Sequence, residues 1–267
     1  MARVARVAFL FLMAGFLAAP LLVVTGVSFN DTARMNFPPE HPDLHWYYTF
    51  FTDSGWTRAL GLSLGIAAAA ASVSVSIAFP IAYALWRYAS RVARWLQALA
   101  QISFVLPLVV LAIVFLVFWG GIGHVGHIEN TVLSHAVVFV SLPLATIALG
   151  FREVDPSLVE AARTMGADNG DVLRTVLRPL LLPYVTAGLI FVFILSLNEY
   201  IIAYMVAGFE VETLPIKVLN SLRMGFQPSM CVGAVLFMAT GVLGFSLVAL
   251  IGDLPRLLGA PIRTARR

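Results

Sequence analysis

The chain has 267 residues, of which 60% are hydrophobic and only 12% are charged, and its formal net charge is +3. Soluble domains carry about 45–50% apolar and about 25% charged residues, so this composition excludes an ordinary water-soluble globule. The basic residues lie in short segments between apolar runs, which indicates membrane orientation and no nucleic-acid partner. We therefore predict a single all-α membrane domain over residues 1–267, because a lipid-exposed backbone must satisfy its own hydrogen bonds.

Six apolar segments are long enough to cross a membrane. The first follows Arg3 and Arg6 and has 23 residues, more than the apolar core of about 7–15 residues in a cleaved signal peptide. A helix needs about 20 apolar residues to cross the hydrocarbon core, so this segment is predicted to be a retained transmembrane helix. The six predicted transmembrane helices cover residues 7–29, 59–86, 99–119, 132–149, 180–207 and 232–251.

The second segment is rich in Ala, Gly and Ser between residues 59 and 78. Small residues let helices approach closely, so this helix is predicted to lie inside a bundle. Prolines within or at the ends of the segments predict kinks, because proline removes an intrahelical hydrogen bond. These prolines are Pro20, Pro80, Pro107, Pro143 and Pro183.

The distribution of basic residues predicts the topology. Thirteen of the 17 arginines and lysines lie before the first segment, after the sixth, or in the even-numbered connections. The opposite side carries only Arg34, Arg58, Lys217 and Arg223. Positive residues favour the cytoplasmic side of a membrane, so we predict a multi-pass protein with both termini in the cytoplasm.

The cytoplasmic connection over residues 150–179 has the clearest local pattern. Asp155 suits an N-cap and Pro156 suits the first helical position. A short helix over residues 157–165 is predicted to follow, with Gly166 at its C′ position.

A second helix over residues 169–177 is predicted in the same connection, with Asp168 as its cap and Pro179 as the end of the loop. The resulting helix–turn–helix is attached to membrane spans at both ends. It can either pass on the motion of a docked partner or lie as an amphipathic segment on the lipid surface. The pattern alone leaves these two roles open.

One set of residues in this connection resembles the EAA loop, which marks the inner-membrane permease subunits of binding-protein-dependent ABC importers. The family pattern is EAA-x3-G-x9-I-x-L-P. Its positions in this chain are Glu160, Ala161, Ala162, Gly166, Val176 and Pro179. Val176 stands where the family has Ile, and Arg178 is a larger departure from the family's Leu.

The resemblance implies a type I importer permease fold in which this loop contains the coupling helix and docks on a cytoplasmic ATPase subunit. Glu160 would be its charged contact and Gly166 its turn. The resemblance also implies a bacterial inner-membrane location, two ABC ATPase subunits and a second, different permease subunit. An extracytoplasmic solute-binding protein would dock on residues 30–58 and 208–230.

The chain is predicted to be a transporter subunit without catalytic residues or a bound cofactor of its own. It contains no G-x4-G-K-[ST] loop that could hold a nucleotide's phosphates. ATP and Mg²⁺ are therefore expected on the partner ATPase subunits.

Residues 195–200 and 213–217 resemble the spermidine/putrescine type of permease, which implies a polyamine as the solute. The same machinery for another small organic solute stays open, because permeases for other solutes share this outline. An amino-acid derivative, an opine, an organophosphonate or a quaternary amine would fit it. A stand-alone secondary transporter or a membrane-embedded enzyme is disfavoured, because neither explains the loop pattern.

Glu199 lies within the fifth predicted span, where an ionised side chain costs about 2.5–3.5 kcal/mol at the membrane centre. With Asn198 and Tyr200 it is a candidate for the substrate pathway, where a carboxylate attracts a polyamine cation. The alternative is a structural hydrogen bond or ion pair to another helix or to a partner subunit. His135, in the fourth span, is predicted to make a hydrogen bond between helices.

His124, His127 and Glu129 lie together in the predicted outer connection between the third and fourth spans. Histidine and glutamate are metal ligands, but this spacing matches no established ligand arrangement. No metal site is therefore predicted.

Overall fold

The computed structural model describes residues 2–208 and 210–251, and the side chains of residues 4–208 and 210–250. The described residues form helices and no strand, which confirms the all-α prediction. The predicted cytoplasmic residues Arg256, Arg263, Arg266 and Arg267, and the side chain of Arg3, lie outside this description. The helices are α1 (Ala2–Val27), α2 (His45–Thr52), α3 (Ser54–Tyr88), α4 (Arg91–Val105), α5 (Leu108–Gly121), α6 (Ile128–Phe139), α7 (Ser141–Arg152), α8 (Pro156–Thr164), α9 (Asn169–Val172), α10 (Arg178–Asn198), α11 (Ile201–Ala207), α12 (Leu214–Met224) and α13 (Ser229–Ile251).

The chain divides into two compact units, and α3 and α13 belong partly to each. The first unit comprises residues 1–62 and 212–240, and the second comprises residues 63–211 and 241–267. The prediction of one domain over the whole chain stays a prediction.

The first unit has a small apolar core in which Phe50, Trp56 and Leu214 are buried. Two of the helices that supply this core, α2 and α12, lie in segments expected to be outer loops. Their apolar residues recur at helical spacing, so each helix buries one face, although Tyr48, Phe51 and Leu222 stay exposed. The Lys217 ammonium lies 5.3 Å from the centre of the Trp56 ring, which is a cation–π contact.

Four helices are long and apolar enough to cross a membrane, at Val4–Val27, Ser54–Tyr88, Asn169–Asn198 and Ser229–Leu250. Two pairs of helices meet the same test only when each bent pair is counted as one span. Counting each pair once gives six spans among the described residues, the number predicted from the sequence.

The third predicted span, residues 99–119, is wrong as one continuous helix. It is divided between α4 and α5, whose axes differ by 113°. Pro107 precedes α5, and Leu106 before it has an extended backbone at φ −66° and ψ 144°. The proline ring disfavours helical geometry in the residue before it, so the chain turns sharply here.

The fourth predicted span, residues 132–149, is likewise not straight. It is divided between α6 and α7, with a bend of 45° at Val140. Pro143 has no N–H for the carbonyl of Phe139, which lies four residues earlier at the end of α6. The kink predicted from this proline is confirmed.

The fifth predicted span, residues 180–207, is wrong at both ends. The predicted loop helix does not stop before Pro179, because α9 continues through a π-helical turn, Leu173–Leu177, into α10. In that turn each N–H bonds to the carbonyl five residues earlier, and this wider helix accommodates Pro179, which lacks an N–H, without ending. At the other end α10 stops at Asn198, and Glu199 is extended at φ −76° and ψ 129°.

Helices α7 and α10 approach closely within the second unit, and Gly188 lies at their contact. A Cβ atom on Gly188 would come within 2.7 Å of the Pro143 Cα atom. The Tyr184 hydroxyl of α10 also donates to the Glu153 carboxylate at 2.7 Å, just beyond the end of α7. These contacts join the two spans that flank the connection of residues 150–179.

Candidate functional site

The first helix predicted in this connection is present as α8, and the caps predicted for it are confirmed, while its coupling role stays a prediction. The Asp155 carboxylate accepts from the Ser157 N–H at 2.9 Å, and this backbone hydrogen bond holds the pKa of Asp155 below its usual value. Pro156 is the first helical residue. Gly166 has φ +88°, and its N–H donates to the Arg163 carbonyl at 2.9 Å, as in a Schellman C-terminal motif.

One face of α8 is open to solvent in this chain. Glu160 and Ala161 are exposed, Leu158 is 46% exposed and Met165 is 88% exposed. No residue of the helix is fully buried. Large apolar side chains next to a carboxylate on a projecting helix are typical of a surface that a protein partner covers.

The opposite face of α8 packs on the core of the second unit. Val159 and Ala162 contact a cluster that contains the buried Phe151, the penultimate residue of α7. The Phe151 ring stacks on Trp86 with centroids 5.2 Å apart. Phe79 and Tyr83, also from α3, pack on the same ring at centroid distances of 5.9 and 6.0 Å. The loop helix is thereby in contact with the core that α3 and α7 share.

The second half of the loop starts with a capping box. The Asp168 carboxylate accepts from the Asp171 N–H at 2.8 Å, and the Asp171 carboxylate accepts from the Asp168 N–H at 3.2 Å. Arg163 of α8 donates to the Asn169 side chain at 2.7 Å, which links the two halves.

The positions of the family pattern fall in four elements. Glu160, Ala161 and Ala162 lie on α8, Gly166 in the turn, Val176 in the π-helical turn, and Pro179 in α10.

A buried polar network lies where α10 ends. His135 Nε2 is 2.9 Å from Glu199 Oε2, and the two side chains are 1% and 3% exposed. His135 Nδ1 is 2.7 Å from Ser196 Oγ. The predicted hydrogen bond between His135 and another helix is confirmed.

Glu199 also organises the start of α11. Its carboxylate accepts from the Ile202 N–H at 2.9 and 3.1 Å and from the Ala203 N–H at 3.1 Å. These N–H groups lack partners within their own short helix, so the side chain replaces the bonds that a continuous helix would have made. The carboxylate is thus held at a break in the helix and has hydrogen-bond partners on both sides.

The other two candidate pathway residues flank this network. Asn198 is exposed, and its side-chain amide donates to the Ile194 carbonyl at 2.8 Å. Tyr200 is half-buried and stacks on Tyr204 with centroids 5.4 Å apart. Contact of these residues with a solute stays a prediction.

Two features of the site are not among those predicted from the sequence. The aromatic cluster beneath α8 was missed, although Phe79, Tyr83 and Trp86 recur at spacings of four and three residues, which places them on one helix face. The pairing of His135 with Glu199 joins residues 64 positions apart, and no local pattern signals it.

The three residues for which no metal site was predicted do lie together. His124 Nε2 is 3.0 Å and His127 Nδ1 is 3.8 Å from Glu129 Oε1, and the two imidazole rings stack with centroids 4.1 Å apart. The three ligand atoms are within 4.8 Å of one another and half-exposed. The absence of a metal site stays a prediction.

Comparisons with known proteins agree with the loop pattern. Residues 74–254 match the family described as "Binding-protein-dependent transport system inner membrane component". The spermidine/putrescine transport system permease protein PotC of Escherichia coli strain K12 is 26% identical over 251 residues, which cover 94% of this chain and 93% of PotC. The putrescine transport system permease protein PotI of the same strain is 29% identical over 270 residues, covering 98% of this chain and 96% of PotI.

Solved structures share the fold. One chain of a bacterial ABC transporter involved in the import of the acidic polysaccharide alginate matches this chain with a TM-score of 0.69 at 17% identity. The match covers 92% of this chain and 94% of that chain. A chain of the MetNI methionine ABC transporter has TM-score 0.57 at 18% identity, covering 73% of this chain and 95% of its own. The fold is therefore that of type I ABC importer permeases.

Proposed function

Because the chain belongs to the family of binding-protein-dependent transport system inner membrane components, the permease subunits of ABC importers, we propose that it forms half of a polyamine translocation pathway. The observation that carries the proposal is the similarity to PotC and PotI, whose printed names concern spermidine and putrescine, over more than nine-tenths of this chain. Transport through the pathway is energised by separate ATPase subunits.

We propose that α8 couples this permease to an ATPase subunit. Its outward face presents Glu160 beside exposed apolar side chains, and Glu160 pairs with a basic group of the ATPase. Its inward face contacts the aromatic cluster around Phe151, so a push on α8 reaches α3 and α7 directly. The continuous helical path from α9 into α10 carries the same motion into the fifth span.

The partners follow from this assignment. Two ABC ATPase subunits hold ATP and Mg²⁺, and this chain holds no cofactor and has no ATPase site. A second, different permease subunit completes the pathway. An extracytoplasmic binding protein delivers the solute to residues 30–58 and 208–230; a structural relative with TM-score 0.58 is described in complex with a periplasmic protein. ATP binding draws the coupling helices together and turns the pathway outward, and hydrolysis resets it.

The candidate pathway residues suit an organic cation. Tyr200 stacks on Tyr204, and aromatic faces attract ammonium groups. Asn198 is exposed, and its side-chain carbonyl oxygen can accept a hydrogen bond from an ammonium group. The neighbouring Glu199 carboxylate is buried, so it would act on a cation through its charge and not through direct contact. A polyamine offers several separated ammonium groups, which Asn198 and Tyr200 can engage in succession.

Uptake of labelled spermidine and putrescine tests the proposal, in cells that lack other polyamine importers and express the chain with its partner subunits. We expect ATP-dependent polyamine uptake, and competition by unlabelled polyamine but not by an opine or an organophosphonate. Uptake of one of those solutes, or of a quaternary amine, without polyamine uptake would contradict the assignment and support the alternative solute class.

Charge reversal at the coupling helix tests the ATPase contact in the same assay. Glu160→Arg should abolish uptake while the complex still inserts and assembles, because it places like charges at the docking surface. Glu129→Arg is the matched control, since the Glu129 side chain is 55% exposed in a predicted outer connection and lies outside the residues proposed for binding-protein docking. Full uptake by the Glu160→Arg variant would rule out the proposed contact.

A further inference from the structure

A groove with a volume of about 490 Å³ lies beside the π-helical turn, apart from the exposed face of α8. Apolar side chains of α3, the turn and α10 line most of it. These are Phe79, Leu173, Leu181, Leu182 and Val185. Leu173 is 39% exposed and Leu182 is 52% exposed, so much of the apolar lining is accessible from outside.

Two arginines, Arg174 and Arg178, also line this groove and are exposed. Among the residues that the structure describes, neither guanidinium makes an ion pair or a hydrogen bond. The nearest acidic residues along the chain, Asp168 and Asp171, are engaged with each other's backbone in the capping box. Two guanidinium groups with no carboxylate partner make a site for an anion.

The position of the arginines indicates which anion. Arg178 is the first residue of α10, and the apolar part of this membrane-spanning helix begins immediately after it. Arginines at the end of a span lie at the depth of lipid headgroups. The apolar lining extends from them along α10 to Val185, about two turns further, where an acyl chain would lie.

We propose that this groove binds an anionic phospholipid, with the phosphate on Arg174 and Arg178 and an acyl chain against the apolar lining. Basic pockets between transmembrane helices are recognised sites for anionic headgroups. A free phosphate would use only the two guanidinium groups and leave the apolar lining uncovered. The ATPase subunit is assigned to the exposed face of α8, and no residue of α8 lines this groove. The family pattern has Leu at the position of Arg178, so the second charge distinguishes this chain from that pattern.

A bound lipid would connect the coupling loop to the membrane. The groove includes Leu173 and Arg174 in the π-helical turn and Phe79 on α3, so one lipid contacts both elements. Its headgroup would hold the junction of the loop and the fifth span at a fixed depth. The proposal concerns lipid binding alone and does not depend on the transported solute.

Native mass spectrometry of the purified full complex, titrated with phosphatidylglycerol or phosphatidylcholine, tests the proposal. We expect a discrete phosphatidylglycerol adduct that excess inorganic phosphate does not displace, because the acyl chain contributes to binding. Arg174→Gln with Arg178→Gln should weaken it about 25-fold, at about fivefold for each charge near the headgroups. The matched control, Arg34→Gln with Arg223→Gln, removes two exposed arginines elsewhere and should leave the adduct unchanged.

A groove-filling variant separates this site from lipid that merely surrounds the protein. Leu182→Trp keeps both charges and should also remove the adduct, with the complex still monodisperse. Equal affinity in the arginine variant and the control would overturn the proposal, as would equal binding of phosphatidylcholine. A lipid that binds the permease pair but is absent whenever the ATPase subunits are attached would assign the groove to ATPase docking instead.

Discussion

Glu199 is the residue whose surroundings define its role most closely. Its carboxylate accepts from two backbone N–H groups and contacts His135, so it holds the break between α10 and α11 in place. A side chain with that many partners has a structural role whether or not a cation passes nearby. The two roles differ in one respect: the structural role depends on hydrogen bonds, and the attraction of a cation depends on charge.

Substitution of Glu199 by Gln separates these roles. Glutamine keeps the size and an accepting oxygen but removes the charge, so we expect polyamine uptake to weaken about tenfold while thermal stability falls less than in His135→Ala. Uptake kinetics and a thermal melt of the same purified variants measure both. The matched control is Glu129→Gln, an exposed carboxylate outside the residues proposed for binding-protein docking. Unchanged uptake by Glu199→Gln would dismiss the pathway role.

The N-cap of α8 gives a pH dependence. The pKa of Asp155 is lowered in the folded chain by the Ser157 N–H, from an ordinary value of 3.8. A lowered pKa means that the ionised cap stabilises α8 fully above about pH 4, and that this stabilisation is lost as the pH falls through the folded-state pKa. The protection of amides over residues 156–164, measured against the exchange rate of an unfolded chain at the same pH, should therefore fall in Asp155→Ala at neutral pH, and in the unmodified chain only in acid.

The neutral but still capping Asp155→Asn variant is the control for this measurement. It should exchange slowly at neutral pH, since an Asn side chain accepts the same hydrogen bond. Its protection should also change little in acid, because an Asn cap does not titrate. Equal exchange rates in all three proteins at neutral pH would show that the cap does not hold α8.

Residue-scale predictions from the sequence succeeded where the determinant is local. The caps of α8 and α9 depend on side chains within three positions of the N–H groups that they bind, so Asp155 and Asp168 could be recognised directly. The network of His135, Ser196 and Glu199 depends on helix packing between distant segments. The amino-acid pattern near each of these residues does not contain that information.

Among the elements, the connection of residues 150–179 was predicted well and the spans on either side less so. Hydropathy detects apolar length, but it does not register a change of direction inside an apolar run. The bend at Pro107 therefore divided the third predicted span, and the side chain of Glu199 ended the fifth. Pro179 failed as a helix stop because a π-helical turn accommodates it.

The contact between α7 and α10 gives an element-scale prediction. A Cβ atom at Gly188 would meet backbone and side-chain atoms of Pro143 at 2.7–2.8 Å, and the Pro143 backbone cannot rotate away. Gly188→Ala should therefore destabilise the protein by about 1–3 kcal/mol, the usual range for overpacking. The drop in melting temperature of the detergent-solubilised complex measures it.

Gly65→Ala on α3 is the matched control for that substitution. A Cβ atom at Gly65 has nothing within 4 Å in this chain, so the change should be neutral or slightly stabilising in a helix. A Gly188→Ala variant as stable as Gly65→Ala would show that the two spans are not tightly packed there.

For the whole molecule, composition and the distribution of charge predicted more than local pattern did. The low content of charged residues predicted a membrane protein, and the distribution of basic residues predicted on which side of the membrane each loop lies. The loop pattern then indicated the importer family, and the match over residues 74–254 shows it. Coupling to an ATPase requires α8 to face the cytoplasm, where an ATPase subunit can reach its exposed side.

Cysteine labelling of Ser157 tests that claim most directly. The chain has one cysteine, Cys231, which is first replaced by Ser. Ser157→Cys should then resist a membrane-impermeant maleimide in intact cells, react in inside-out vesicles stripped of ATPase subunits, and become protected when those subunits are added back. Glu40→Cys should show the opposite sidedness. Labelling of Ser157→Cys from outside intact cells, or no protection by the ATPase subunits, would contradict the account.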